Sequence, residues 1–277
     1  MTARTRPRPR TKPVNGDISQ AIDILLQTGD LRVWSVIATI FGDLARDPGD
    51  TIDGPTLSAL TGRLKIRPEA MRVALFRLRR DGWIESQRAG RTSRYSLSET
   101  GYRETTAARS RIYRWRNDDA DCRILIAGPS SLADRCETDA GLRAAGYRAL
   151  QNGVYVGPDQ PDAAPPGWFS SSVQSAGVPD WLRQHLAPEQ LGTAYAELAA
   201  ALARLDLVPG PGRVASLLDI AALRVLIVHD WRRLLLRTAD VPDGFFPPGW
   251  SGHDCRARVA DLLTRLTRPS LKDLGER

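Results

Sequence analysis

The sequence predicts an α+β multidomain chain: a helical head closed by a two-stranded ribbon, a small strand–helix–strand unit, and a helical C-terminal part. Three observations predict it. Apolar residues recur at three- and four-residue steps in three successive segments between residues 31 and 83. Two alternating stretches, WIESQRAG and RTSRYSLS, follow directly. Past residue 120 short apolar runs alternate with a helical stretch, and from Pro188 onward strong helix formers dominate. The 277 residues suit this division, with boundaries expected at 1–29 (a basic arm and lead-in helix), 30–110, 111–180 and 181–277.

In order, LRVWSVIATIFGDLARD (31–47) places Val33, Ile37, Ile40, Phe41 and Leu44 on one helical face and stops near Pro48-Gly49. TIDGPTLSALTGRL (51–64) starts at Asp53 or a neighbour as cap, carries Leu57, Leu60 and Leu64 inward, and suggests a break or tight turn at Thr61-Gly62. RPEAMRVALFRLRRDGW (67–83) makes a third helix, with Pro68 in its first turn and Gly82 as its stop. Met71, Ala74, Leu75 and Leu78 form its inward stripe. Its other face bears Glu69, Arg72, Val73, Phe76, Arg79 and Arg80. The ribbon that follows turns at Arg88-Ala89-Gly90-Arg91, although a tip that served solubility alone has Asn-Gly or Asp-Gly available to it.

Composition bounds the function. No apolar run approaches the roughly 18 residues of a membrane span, so no membrane partner is expected and the cytoplasm is the expected location. MTARTRPRPRTKPVNGD is basic and proline-rich without an apolar signal core, which predicts a disordered arm. Three widely spaced cysteines argue against a disulfide framework or structural zinc. The net charge is +7, yet residues 1–115 hold 21 Lys+Arg against 12 Asp+Glu, a net +9, leaving −2 for the remainder. Such concentration is the footprint of a polyanion partner.

Three helices with a short turn before the third make a helix-turn-helix, and a ribbon directly after the third makes it winged. On this reading Arg67, Glu69, Arg72, Val73, Phe76, Arg79 and Arg80 face the major groove of double-stranded operator DNA. Arg88, Arg91 and Arg94 supply charge to a neighbouring phosphate backbone or the minor groove. Winged helices also mediate protein contacts, so an interaction module is the bland alternative.

The stretch from IFGDLAR (40–46) through RPEAMRVALFRLRRDGW to RAGRTSRYSLSETG (88–101) resembles the head of the PaaX family of bacterial transcriptional repressors. RIYRW (111–115), CRILIAG (122–128) and LRAAGYRALQNGVYVGP (142–158) are similar to its middle segment. VHDWRRLLLRTADVPDGFFPPGWSGHDCRARVADLLTRL (228–266) is similar to its C-terminal signature. The resemblance implies a homodimeric repressor of a catabolic operon, in the best-known members phenylacetate catabolism, released by an acyl-CoA effector such as phenylacetyl-CoA. It also implies a middle domain with a ferredoxin-like fold, like that of CRISPR Cas2 proteins, and a helical C-terminal domain. No cofactor is expected, and no enzyme.

Downstream, CRILIAG reads as a buried strand, the residues up to Ala145 as a helix, GVYVG as a second strand, and WFSSSVQ (168–174) as one able to pair beside them. Gly128-Pro129-Ser130-Ser131 lacks a phosphate-loop pattern and reads as a turn and helix cap. Residues 188–205 and 213–237 read as helices, the second buried, followed by the aromatic loop VPDGFFPPGW and an amphipathic helix, HDCRARVADLLTRL. Within the family-like C-terminal segment, His229, Trp231, Arg232 and Arg233 suit an anionic, acyl-bearing ligand, since guanidinium groups match phosphate oxygens in pairs. A salt-bridge cluster between domains is the equal alternative. Two enzyme readings are weaker. His229-Asp230 lacks enough further histidines for a metal centre, and adjacency in His253-Asp254-Cys255 points side chains apart. A metal-dependent nucleic-acid enzyme would draw on Asp118, Asp119 and Asp121, which fit a solvated linker at least as well.

Overall fold

The computed structural model describes residues 18–29, 31–114, 121–128, 132–174, 177–206 and 216–275. The expected basic arm, Asp118, Asp119 and Pro129 to Ser131 lie outside them. The described part opens with α1 (Ile18–Leu25) and α2 (Val33–Leu44); of the expected inward residues of α2, Ile37, Ile40, Phe41 and Leu44 are buried and Val33 is half-buried. A two-residue strand β1 (Ile52–Asp53) precedes α3 (Gly54–Arg63), and Asp53 caps that helix, its Oδ1 accepting from the Thr56 amide at 2.7 Å. The break or tight turn expected at Thr61-Gly62 does not occur. The buried Thr61 hydroxyl donates back to the Leu57 carbonyl at 2.8 Å, and the helix continues to Arg63. The reversal comes at Lys65, whose φ of 58° supplies the left-handed residue.

Helix α4 (Pro68–Arg80) buries Met71, Ala74, Leu75 and Leu78, as its periodicity requires. It ends in a Schellman pair: Trp83 N–H donates to Leu78 at 2.8 Å and Gly82 N–H to Arg79 at 3.0 Å. Gly82 has φ 70°, a conformation that costs any side chain, so the glycine is required. The ribbon is β2 (Ile84–Ala89) and β3 (Thr92–Leu97), antiparallel, with Gly90 and Arg91 as its two-residue tip. Strand β1 joins β3 on its free edge, giving the order β1-β3-β2. Helix α5 (Glu99–Ile112) follows, capped by Ser98. Its buried residues, Gly101, Thr105, Arg111 and Ile112, form no apolar stripe.

The middle unit runs β4 (Cys122–Ile126), α6 (Leu132–Ala144), β5 (Arg148–Gln151), β6 (Val154–Pro158) and β7 (Phe169–Val173). The strands pair in the order β5-β6-β4-β7, every neighbour antiparallel. A single 3-10 turn, Pro161–Ala163, lies in the connection between β6 and β7. Leu125, Leu142, Tyr147 and Tyr155 make a small separate core.

The C-terminal part contains α7 (Asp180–Leu186), α8 (Glu189–Asp206), α9 (Leu217–Leu235), α10 (Gly252–Arg265) and α11 (Leu271–Gly275). Helix α9 starts in a reciprocal capping box between Ser216 and Asp219 and is buried all round from Ala221 to Trp231. It is the axis of the main core, which takes in residues from Ile18 to Leu274, so head and tail helices share one interior. Inside it Asp43, with no exposed surface, accepts from Arg224 Nε at 2.7 Å, Arg46 Nη2 at 2.8 Å and Tyr113 Oη at 2.5 Å. Burial pushes the Asp43 carboxyl up, but the guanidinium of Arg224 beside it prevails and holds it below the ordinary carboxylate range.

Candidate nucleic-acid interface and a neighbouring cavity

Because α4 spends its apolar stripe on the core, its remaining residues other than the half-buried Ala70 face outward. Arg67, Glu69, Arg72, Val73, Phe76, Arg79 and Arg80 are all exposed. Val73 and Phe76 stand 68% and 66% exposed, unusual for large apolar side chains on a helix with a filled core. Arg72 makes an ion pair with Glu69, at 3.8 Å, and Arg80 leans on Asp81 at 3.0 Å. Both pairs lie in open solvent, where such contacts contribute little. Arg77, which the sequence reading left aside, lies over the Trp34 ring at 5.1 Å.

The hairpin meets this face. A groove of about 540 Å³ is lined by Arg72, Phe76 and Arg79 of α4 and by Arg91, Ser93 and Tyr95 of the hairpin. The structure therefore brings Arg91 to the same surface as the helix residues. Arg88 pairs in register with Ser93 and shares its side of the ribbon, whereas Arg94 pairs with Gln87 on the opposite side. Arg88, Arg91 and Arg94 are all exposed, but they do not act on one face.

The second expected cluster is arranged differently. His229 and Trp231 are buried: His229 Nδ1 meets the Thr39 hydroxyl at 3.4 Å, and Trp231 Nε1 donates to the Ile112 carbonyl at 3.2 Å. Burial, reinforced by the charges of Arg232 and Arg233, pushes the His229 imidazole down to about 4, so it is neutral near pH 7. Arg232 donates to the Ser35 hydroxyl at 2.8 Å, and Arg233 lies half-buried against Gly29. Of the four, Arg232 lines a cavity of about 510 Å³ between α2, α5 and α9, and the other three do not line it. Two of its other polar walls, Thr105 and Arg109, come from α5, which sequence periodicity does not reveal.

The enzyme-like pairs resolve into structure. Asp230 turns to α1, accepting from the Thr28 hydroxyl at 3.3 Å, while its neighbour His229 turns to α2. Burial pushes the Asp230 carboxyl up to about 7 against the pull of Arg233. Cys255 donates to the Tyr195 carbonyl at 3.2 Å, and burial drives its thiol up to about 12, far from a reactive thiolate. His253 pairs with Asp243 at 2.7 Å and not with Cys255. Among the described residues no group of three His, Cys, Asp or Glu side chains is placed to hold a metal, and no helix is long and apolar enough to cross a membrane.

Comparison with known proteins bears on both surfaces. The model of the PaaX-like protein family matches residues 32–101, which contain α4 and the hairpin. The model of the PaaX-like protein C-terminal domain matches residues 188–274, which contain α9. The transcriptional repressor PaaX of Escherichia coli (strain K12) is 28% identical over 269 residues, covering 88% of this chain and 83% of that protein. An uncharacterized protein of Mycobacterium tuberculosis, Rv0674, superposes with a TM-score of 0.46 at 20% identity, over 84% of this chain and 96% of that one. With both family models matched in order across more than half its length, the chain belongs to the PaaX-like family.

Proposed function

We propose that this chain is a DNA-binding transcriptional repressor of a catabolic operon, phenylacetate catabolism being the family's precedent. The E. coli relative is named a transcriptional repressor, and the match covers the part that carries the basic, outward-facing helix. The single observation that carries the reading is the face of α4: Arg72, Val73, Phe76 and Arg79 are exposed, uncommitted to the core, and share one groove with Arg91 of the hairpin. On this reading the head is a winged helix-turn-helix. Helix α4 enters the major groove, where arginine reads guanine edges and apolar groups meet thymine methyls. The hairpin lies on the adjoining backbone, with Arg88 and Arg91 toward α4 and Arg94 turned to the next phosphates.

The strand order β5-β6-β4-β7 supports a ferredoxin-like, Cas2-like reading of the middle unit, with the second crossover helix reduced to a turn. The chain acts as a homodimer on two half-sites about one DNA turn apart, roughly 34–36 Å. An aryl- or acyl-CoA thioester such as phenylacetyl-CoA changes head spacing or tilt and so breaks simultaneous engagement. Fluorescence anisotropy with duplexes from the chain's own promoter region, titrated with salt, tests the reading. Tight, salt-sensitive binding is expected, and affinity indifferent to both duplex sequence and salt overturns it.

A further inference from the structure

We propose that the cavity between α2, α5 and α9 is a binding site for an amphiphilic anion, its apolar group inward and its carboxylate or phosphate at the arginines, and that Trp83 relays its occupancy to the hairpin. The binding half stands alone; the relay rests on the DNA-binding reading above. At about 510 Å³ the space has the size of a small-molecule site. Its inner wall is apolar, built from Ala38, Gly42, Ile112 and Val228. Three polar atoms around it are buried without a hydrogen-bond partner: Thr105 Oγ1, Arg109 Nε and Arg232 Nε. Thr105 is only 8% exposed. Buried polar groups are normally matched, so three unmatched ones around a single cavity mark where an acceptor belongs. Arg103 and Arg143 stand exposed at the rim, against one acid, Glu104. Guanidinium groups favour carboxylate and phosphate by paired hydrogen bonds, and the apolar interior selects what that anion is attached to.

The same cavity touches the DNA-facing unit. Trp83 lines it at the point where α4 stops and β2 begins, and its Nε1 donates to Glu104 of α5 at 2.6 Å. Ser98, which caps α5, donates to the Gly82 carbonyl at 2.5 Å. Gly101 lies so near Trp83 that a Cβ there would stand 2.0 Å from the Trp83 carbonyl oxygen. Helix α5, the end of α4 and the start of the hairpin are thus bound as one body. A ligand that prefers a shifted α5 displaces the hairpin with it, by no more than its differential affinity for the two positions.

The test is calorimetry on the full chain with two probes, phenylacetate for a carboxylate head and phenylacetyl-CoA for a phosphate-bearing one. Binding of either by the wild type is expected, and which one binds identifies the anion. Ala108→Trp, which fills the cavity, should weaken that binding about tenfold or more. Thr105→Val, which keeps shape and removes the unmatched hydroxyl, should weaken it several-fold while the melting temperature of the probe-free protein holds or rises. No binding of either probe, or unaltered binding in both variants, overturns the site. Loss of all duplex binding by the wild type overturns the repressor reading and the relay, and leaves the calorimetric result standing. Binding at the site with no effect on duplex affinity overturns the relay alone.

Discussion

Helices α4 and α9 both carry arginines beside apolar residues, and the fold treats them in opposite ways. Helix α4 has one apolar stripe, Met71, Ala74, Leu75 and Leu78, and sends every arginine to solvent. Helix α9 is apolar all round, so its charged residues are drawn into the interior and must be matched there: Arg224 by Asp43, Asp230 by Thr28, Arg232 by Ser35. Arginine is therefore informative about binding only when the apolar pattern of its helix is already narrow. On α4 the charge is left over from folding, and on α9 most of it holds the fold together.

The largest effect should break the second half of this contrast. Arg224→Met leaves the buried Asp43 carboxylate only Arg46 and Tyr113 of its three side-chain donors and should cost about 3 kcal/mol, the low end for breaking a buried pair, because Arg46 still offsets part of the charge. Chemical denaturation measures it. A loss below about 1 kcal/mol would mean the pair is solvated and α9 is not the organising helix. By contrast, Arg72→Ala should leave stability within about 0.5 kcal/mol, because the side chain is exposed and its ion pair with Glu69 is long, 3.8 Å, and solvent-exposed. Its duplex affinity should fall by about 1–3 kcal/mol on the preferred site.

The ordinary reach of pattern reading explains which parts of this were legible. The stripe of α4, its Pro68 start and its Gly82 stop are strong local signals, and all three are where the spacing puts them. Strand β1 has two residues and no periodicity to detect, so the third strand of the head sheet was invisible. Helix α5 buries Gly101, Thr105, Arg111 and Ile112, a set with almost no apolar content, which hides both the helix and the cavity it walls. Thr61-Gly62 looked like a break because glycine weakens helices, yet the turn depends on Lys65 at positive φ. Arg94 illustrates a limit of a different kind. Its exposure follows from the sequence, but its side of the ribbon follows from the register, which only the fold fixes.

A subtler effect concerns pH. The Asp230 carboxyl is raised to about 7, so the folded chain holds that proton more tightly than the unfolded one, and stability falls as pH rises from about 4 through 7. His229 is depressed to about 4, so its contribution is lost as pH falls from about 6.5 through 4, an opposite slope over most of that window. Asp230→Asn removes the first slope. Its melting temperature should rise steadily from pH 4 to 6.5, whereas the wild type stays flatter there and declines toward pH 7. Parallel curves for the two proteins would show that Asp230 is ionised throughout. The smallest effect should come from Arg94→Ala, which removes one charge facing away from α4 and should trim duplex affinity less than Arg91→Ala does.

The central claim is that α4 reads sequence while the hairpin supplies phosphate contacts. Anisotropy of Arg72→Ala and Arg91→Ala against the preferred duplex and its single-base variants, at several salt concentrations, tests it most directly. The account predicts that Arg91→Ala weakens every duplex alike and reduces the salt slope by about 1, while Arg72→Ala relaxes preference at one or two positions. Identical behaviour of the two variants, in salt slope and in base preference, would contradict it.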